Sequence, residues 1–185
     1  MPEIRVAIIG VGNCSSAIVQ GVHFYQKVHV EQNVPGLLHL DFGGYKPSDI
    51  KFVAAFDIDV RKVGRDLGEA IFSAPNNTRR FANVPKLDVE VMRGPIIDSI
   101  GKYVKSMIKV DRSQKPVNVV ETLRQVDADV VLNYLPVGSE RASKWYAKQA
   151  LRAKCALVNC IPVFIASDPE WQERFRKAGL PVAGD

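Results

Sequence analysis

Along the chain, short unbroken apolar runs alternate with stretches whose apolar residues recur at helical spacing, and the two patterns change places several times. The unbroken runs predict strands at Ile4 to Ile9, Lys51 to Phe56, Val89 to Met92, Val130 to Tyr134 and Ala156 to Asn159, with a short last one around Pro181 to Ala183. Most are rich in Val, Ile and Ala and lack polar alternation, as strands covered on both faces should. The helical spacing predicts helices over Ser15 to Tyr25, Val60 to Ile71, Ile97 to Ile108, Val117 to Gln125, Ser139 to Lys154 and Pro169 to Lys177. Ser167 followed by Glu170 reads as a capping box opening the last helix, and Gly179 as its C-terminal cap. This order is that of an α/β fold: a Rossmann-like, doubly wound, mostly parallel sheet with helices on both faces.

Two stretches depart from the alternation. Val30 to Ile50 carries Pro35-Gly36, Gly43-Gly44 and Pro47 and reads as a long insertion between the first helix and the second strand. Leu180 to Asp185 reads as a strand running into a loop, so the sequence stops where a functional loop is expected, at the carboxyl end of a strand.

The glycines give the first strand its chemical meaning. Ile4 to Ile9 leads directly into Gly10-Val11-Gly12-Asn13-Cys14-Ser15 and then into a helix, the context in which a glycine fingerprint signals dinucleotide binding rather than a tight turn alone. Gly10 permits the turn, Gly12 lets backbone N–H groups and the positive helix end approach a pyrophosphate, and Ser15 stands where the third glycine would pack helix on strand. Cys14 at the helix terminus reads as a small residue beneath the cofactor, not as a nucleophile. The second strand ends in Phe56-Asp57, where a carboxylate hydrogen-bonds both adenosine ribose hydroxyls and repels a 2′-phosphate, favouring NAD over NADP. Asp57 lies forty-seven positions beyond Gly10 instead of about twenty, a gap the insertion accounts for. Asp59 reads as a charge complementing the N-terminus of the next helix.

Composition changes this picture little. The chain has 185 residues, 46% hydrophobic and 24% charged, enough for one well-buried domain and without an apolar run that would cross a bilayer. The N-terminus lacks the pattern of a secretory signal, which points to the cytoplasm. Cys14, Cys155 and Cys160 form no Cys-x-x-Cys pair, and His23, His29 and His39 have no metal-ligand spacing, so neither a disulfide framework nor a metal site is expected. The net charge of +5 is spread along the chain without the interleaved aromatics of a nucleic-acid stripe, and it would help to collect phosphorylated substrates.

At these residues the sequence resembles the inositol-3-phosphate synthases, of the compact archaeal and actinobacterial type. The resemblance is carried by Ile8-Ile9-Gly10-Val11-Gly12-Asn13-Cys14, Val34-Pro35-Gly36-Leu37, Lys51 to Asp57, Asn76-Asn77-Thr78, Arg93-Gly94-Pro95, Ile100-Gly101-Lys102-Tyr103, Asn133 to Glu140 and Pro162 to Pro169. It implies an isomerase that turns glucose 6-phosphate into 1D-myo-inositol 3-phosphate, feeding inositol and phospholipid synthesis. NAD there takes a hydride from C5, an intramolecular aldol closes the ring, and the hydride returns. It further implies cofactor contacts at Gly10, Gly12, Asn13, Cys14 and Asp57, and also at Asp66, Val126 and Tyr146, with Tyr134, Leu135 and Pro136 near the nicotinamide half. For Asp66 and Tyr146 the residues alone leave open a surface carboxylate and an aromatic packed on the sheet; Asn76, Asn77 and Thr78 either bind cofactor or form a turn.

In such synthases the catalytic lysines and the sheet domain that builds a tetramer belong to a later segment absent here, so no residue of this chain inherits a catalytic role, and Lys102 reads as a solvated helix residue. The expectation is one NAD(P)-binding Rossmann domain over residues 1–185, interrupted at about 30–50, acting as the NAD-binding half of the synthase. A stand-alone NAD-binding module and an NAD-dependent oxidoreductase of a small carbonyl or phosphorylated substrate remain as alternatives.

Overall fold

The structure, a computed structural model, describes residues 3–26, 36–98 and 106–185. Its framework is one six-stranded sheet built from β1 (Ile4–Ile9), β2 (Ile50–Asp57), β3 (Val91–Arg93), β4 (Val130–Asn133), β5 (Ala156–Asn159) and β6 (Val182–Gly184). The strands lie in the order β3-β2-β1-β4-β5-β6, and every pairing is parallel. The direction of winding therefore reverses between β1 and β4, which leaves a crevice above their carboxyl ends.

Both faces of the sheet are covered, which explains the unbroken apolar runs. On β1, Ala7 and Ile9 pack beneath α3 (Val119–Gln125), α4 (Glu140–Ala153) and α5 (Pro169–Ala178), together with Val131, Leu157, Tyr146, Ala147 and Phe175. Val6 and Ile8 face the other way, against Val19 and Val22 of α1 (Asn13–Tyr25) and Leu67 and Ala70 of α2 (Leu67–Ala70). The register between β1 and β2 shifts between Val6 and Ala7, where Val53 is left over on β2. Because side chains alternate along a strand, the extra residue changes their phase. Phe52 and Ala55 share one core, and Ala54 and Phe56 the other.

The predicted strands all form, within one to two residues at their ends. The helix expected over Val60 to Ile71 is a correction, because only Leu67–Ala70 is helical. Gly64 takes a φ of 82°, and the flanking backbone is held by the neighbouring chain: Gly64 N–H donates to Val91, Val91 N–H to Arg65 and Leu67 N–H to Val89. A backbone bonded across to another segment cannot also close helical turns. The helix expected over Ile97 to Ile108 falls largely on residues 99–105, outside the described residues, as do positions 100–103 of the synthase-like pattern, with Lys102; its described ends, 97–98 and 106–108, are not helical. Of the insertion, residues 30–35 are likewise outside; the rest is a run of tight turns, with Phe42 and Tyr45 bridging and a short 3-10 helix at Pro47–Asp49 leading into β2.

The start of α5 also differs from expectation. The cap is Asp168, whose carboxylate accepts from Glu170 N–H at 2.9 Å and Trp171 N–H at 3.2 Å, while the Ser167 hydroxyl turns to Asp185. Gly179 ends the helix with a φ of 67°, as expected. Replacing Asp168 with Ala should lower stability by about 1 kcal/mol, the usual worth of such a cap. Urea unfolding checks this, with Ser167→Ala expected to leave α5 helicity intact.

Candidate functional site

Above the crevice lies a cleft of about 420 Å³ whose lining comes from the carboxyl ends of β1, β2, β4 and β5. Its floor is the turn from β1 into α1. Gly10 has a φ of 85°, donates its N–H to Phe56 at 2.8 Å, and lies so close to the β4 terminus that a Cβ would sit 2.7 Å from the Tyr134 carbonyl oxygen. Only glycine satisfies both conditions at once. Ser15 is fully buried and donates its hydroxyl to the Gly10 carbonyl at 2.5 Å, so it ties the turn to the helix as well as packing there.

Gly12 is different. A Cβ there would meet no protein atom within 4 Å, so the protein's own packing does not call for glycine; the missing side chain leaves room in the cleft. Gly12 is also the N-cap of α1, which has no side-chain cap and no acidic residue in its first turn. With Asn13 and Cys14 it presents the positive end of a thirteen-residue helix to the cleft.

Asp57, at the end of β2, holds this turn. One carboxylate oxygen accepts from Val11 N–H at 2.7 Å, the other from Ile58 N–H at 2.6 Å and Asp59 N–H at 2.9 Å. A carboxylate has about four acceptor directions, so one is left on Asp57, which lines the cleft. The triplet Asn76-Asn77-Thr78 clamps the same turn from the other side. Asn76 donates its amide to the Val11 carbonyl at 3.0 Å, while Asn77 N–H, Thr78 N–H and the Thr78 hydroxyl all donate to the Asn13 side-chain oxygen at 2.8 to 3.1 Å. Asn76 reaches the cleft itself; Asn77 acts on it through Asn13.

Tyr134, Leu135, Pro136 and Tyr146 also line the cleft. Burial raises the pKa of both tyrosines, and Tyr134 shares a side-chain hydrogen bond with Cys160. Tyr146 projects from α4 beneath Phe56, with ring centroids 6.3 Å apart, and a side chain at Gly94 would strike its hydroxyl. Asp66 and Val126 lie elsewhere. Asp66 caps α2 and accepts from Gly68, Leu87 and Val89 N–H groups, which is local structural work outside the cleft. Val126 ends α3 at the opposite, amino edge of the sheet, its carbonyl receiving Arg5 Nε at 2.9 Å.

Asp59 does not complement a helix N-terminus, since no helix begins there. It is 1% exposed and forked by the Arg61 guanidinium, with Nε at 2.9 Å; Arg61 also donates to the Met107 carbonyl, and Lys109 N–H approaches Asp59 at 3.4 Å. Burial would raise its pKa, but the bonds from Arg61 and Lys109 prevail and lower it. This pairing seats Met107 and Ile108 over the cleft. Contributors that were not foreseen include Met107 and Ile108, the turn Cys160-Ile161-Pro162, and Lys62, a buried lysine read from sequence only as part of a helix. No sequence pattern separates a lysine that folds inward from one that faces solvent.

Beyond the cleft, Asp185 ties the end of β5 to the loop before α5. Its carboxylate accepts from Asn159 Nδ2 at 2.9 Å, Ala166 N–H at 3.0 Å and Ser167 N–H and Oγ, each at 2.7 Å. Burial alone would raise its pKa; the hydrogen bonds outweigh that and hold it at about 2. Among the described residues no group of three or more His, Cys, Asp or Glu is placed to hold a metal ion, and no helix is long and apolar enough to cross a membrane.

No family model matches the chain. It is 54% identical over 183 residues to the inositol-3-phosphate synthase of Mycolicibacterium smegmatis, covering 99% of this chain and 50% of that protein. With the inositol-3-phosphate synthase of Corynebacterium glutamicum the identity is 50% over 182 residues, covering 98% of this chain and 50% of the relative. The chain thus spans about half the length of the curated relatives it matches, and corresponds to their N-terminal half. Among solved structures, that of Ari2 superposes with a TM-score of 0.82 at 36% identity, over 99% of this chain and 54% of that one. A myo-inositol-1-phosphate synthase-related protein from Thermotoga maritima, at 22% identity and a TM-score of 0.71 over 99% of this chain and 54% of that one, shares the Rossmann-like fold.

Two outcomes follow. Gly10→Ala should destabilise the chain by about 2 kcal/mol or more, from positive-φ strain together with the clash on Tyr134, as thermal unfolding will register. Because the Asp185 carboxyl is depressed in the fold, its hold on residues 165–167 is complete above about pH 4 and is lost as the pH falls through about 2. The Ser167 amide resonance should follow that titration and stay flat in Asp185→Asn.

Proposed function

We propose that this chain, related to the inositol-3-phosphate synthases through half of their length, belongs to that family and supplies its NAD-binding half. The observation that carries the reading is the bare, uncapped start of α1 at Gly12, open to the cleft and flanked by Asp57 at the end of the neighbouring strand. A helix start with free amides and a positive dipole suits a pyrophosphate, and a carboxylate with one acceptor direction left suits a ribose hydroxyl. On this reading the whole of residues 1–185 forms one dinucleotide-binding domain.

NAD bound there would accept a hydride from the substrate and give it back, so that no net oxidation results. The chain's own residues bind and orient. Backbone N–H groups at Gly12, Asn13 and Cys14 hold the pyrophosphate; Asp57 holds the adenosine ribose; Tyr134, Leu135 and Pro136, with the turn at Cys160 to Pro162, enclose the nicotinamide half. Met107, Ile108 and Tyr146 add an apolar wall that excludes water. Asp66 and Val126 lie outside this cleft and take no direct part in the arrangement.

The whole enzyme, on the same reading, isomerises glucose 6-phosphate to 1D-myo-inositol 3-phosphate, with the groups that move protons contributed by the other half of the relatives' length. A homotetramer in the cytoplasm follows from the resemblance. The native polypeptide in its source cells is expected at about 40 kDa, roughly twice this chain; a native mass at the 20.5 kDa of these residues would favour a free-standing NAD-binding module instead.

Calorimetry with the 185-residue chain should show binding of NAD, and of NADP about tenfold more weakly or worse, because a 2′-phosphate would lie against Asp57. Asp57→Ala should narrow that gap while weakening NAD. Equal affinity for both cofactors, or none for either, would overturn the assignment. With glucose 6-phosphate and NAD supplied, absorbance at 340 nm should not climb; steady NADH accumulation would point to a dehydrogenase.

A further inference from the structure

Among the described residues that line the cleft, one carries a cation: Lys62. It is 4% exposed, and its ammonium donates to the Val11 carbonyl at 2.7 Å and to Asn76 Oδ1 at 2.9 Å, with the nearer Asp57 oxygen 3.9 Å away. A lysine this deep is uncommon, since removing an ammonium from water is costly unless it is paired and bonded. Burial lowers its pKa, and Asp57 and Asp59 oppose that pull.

The placement of its bonds indicates a purpose. The N–H and C=O of Val11 belong to successive peptide units, and Asp57 takes the first while Lys62 and Asn76 share the second. The peptide joining Val11 to Gly12 is trans, so its carbonyl and its N–H point in opposite directions. Drawing the Val11 carbonyl down onto the ammonium therefore turns the Gly12 N–H away from the protein. Gly12 is the residue at which the cleft is bare of protein atoms.

We infer that Lys62 is a positioning residue for phosphate recognition: it aims the Gly12 amide at the bound pyrophosphate and supplies, among the described residues, the one cleft-lining positive charge that offsets the carboxylates of Asp57 and Asp59. The inference rests on the dinucleotide reading of the cleft and adds a residue that neither the glycine loop nor the acidic strand end would single out. On this inference Lys62 acts through the Gly12 amide on phosphate, so its contribution should appear for ligands that carry phosphate and vanish for ligands that do not. A role in holding the fold alone would reduce both equally.

The test is calorimetric titration of the 185-residue chain and its Lys62→Met variant with NAD, ADP and adenosine. Lys62→Met should weaken NAD and ADP by about tenfold or more, the scale of a hydrogen bond made by a charged group, and leave adenosine within about twofold of wild type. The ratio of ADP to adenosine affinity is thus the readout, and raising the salt concentration should compress it in wild type more than in the variant. Should Lys62→Met not fold, Lys62→Gln removes the charge while retaining a side-chain donor, and a smaller fall in the ratio, of the same sign, is expected. If wild type binds NAD and the variant keeps the wild-type ratio, Lys62 has no part in phosphate recognition and the inference falls alone. If wild type binds neither NAD nor ADP, the dinucleotide reading fails and takes the role of Lys62 with it.

Discussion

Covering β1 on both faces is the constraint from which the rest follows. A strand buried above and below must carry apolar residues at consecutive positions, as Val6 through Ile9 do, and must have helices crossing on both sides. Crossing to both sides requires the winding to reverse, and it reverses beside β1, between that strand and β4. The crevice left there is where neighbouring loops part, so a strand covered on both faces delivers its chain end into an open cleft. Gly10 meets this geometry directly, pressed against the Tyr134 carbonyl where the two diverging loops still touch.

The charges above that crevice form a closed arrangement. Asp57 and Asp59 are near neighbours on one strand end, and each has its own cation: Lys62 against the first at 3.9 Å, Arg61 forked onto the second. The two pairs do different things. Arg61 and Asp59 reach outward to the Met107 carbonyl and set the cleft wall, whereas Lys62 and Asp57 reach inward and grip both sides of Val11. Four charged residues within six positions thus hold opposite walls of the cleft in one piece.

Much of this was legible in the sequence because periodicity reports burial, and burial decides strands and long helices. The six strands and the helices at Asn13–Tyr25, Glu140–Ala153 and Pro169–Ala178 appear where the patterns place them. What escaped is what neighbours decide. The segment from Val60 to Ile71 has helical spacing, yet Gly64 to Leu67 within it is drawn into pairing with Val89 to Val91, a partner that no local pattern announces. Asp168 and Ser167 stand side by side with equal capping chemistry, and the choice between them was made by Asp185, which claims the serine. The site divides in the same manner. Gly10, Gly12 and Asp57 were readable from motif and context, Lys62 was not, and Asp66 and Val126, inferred from likeness to other chains, lie away from the cleft in this one.

The leftover residue on β2 bears on how such chains can diverge. Val53 shifts the alternation of side chains before Phe56 and Asp57, so the face on which the strand's last residues lie depends on parity within the strand, not on the length of what precedes it. The turns that lead in through Pro47–Asp49 can lengthen or shorten without altering that parity. Natural drift is therefore free to vary the count of residues between the glycine turn and the acid, while the loss of a single codon inside the strand would turn the carboxylate to the wrong side.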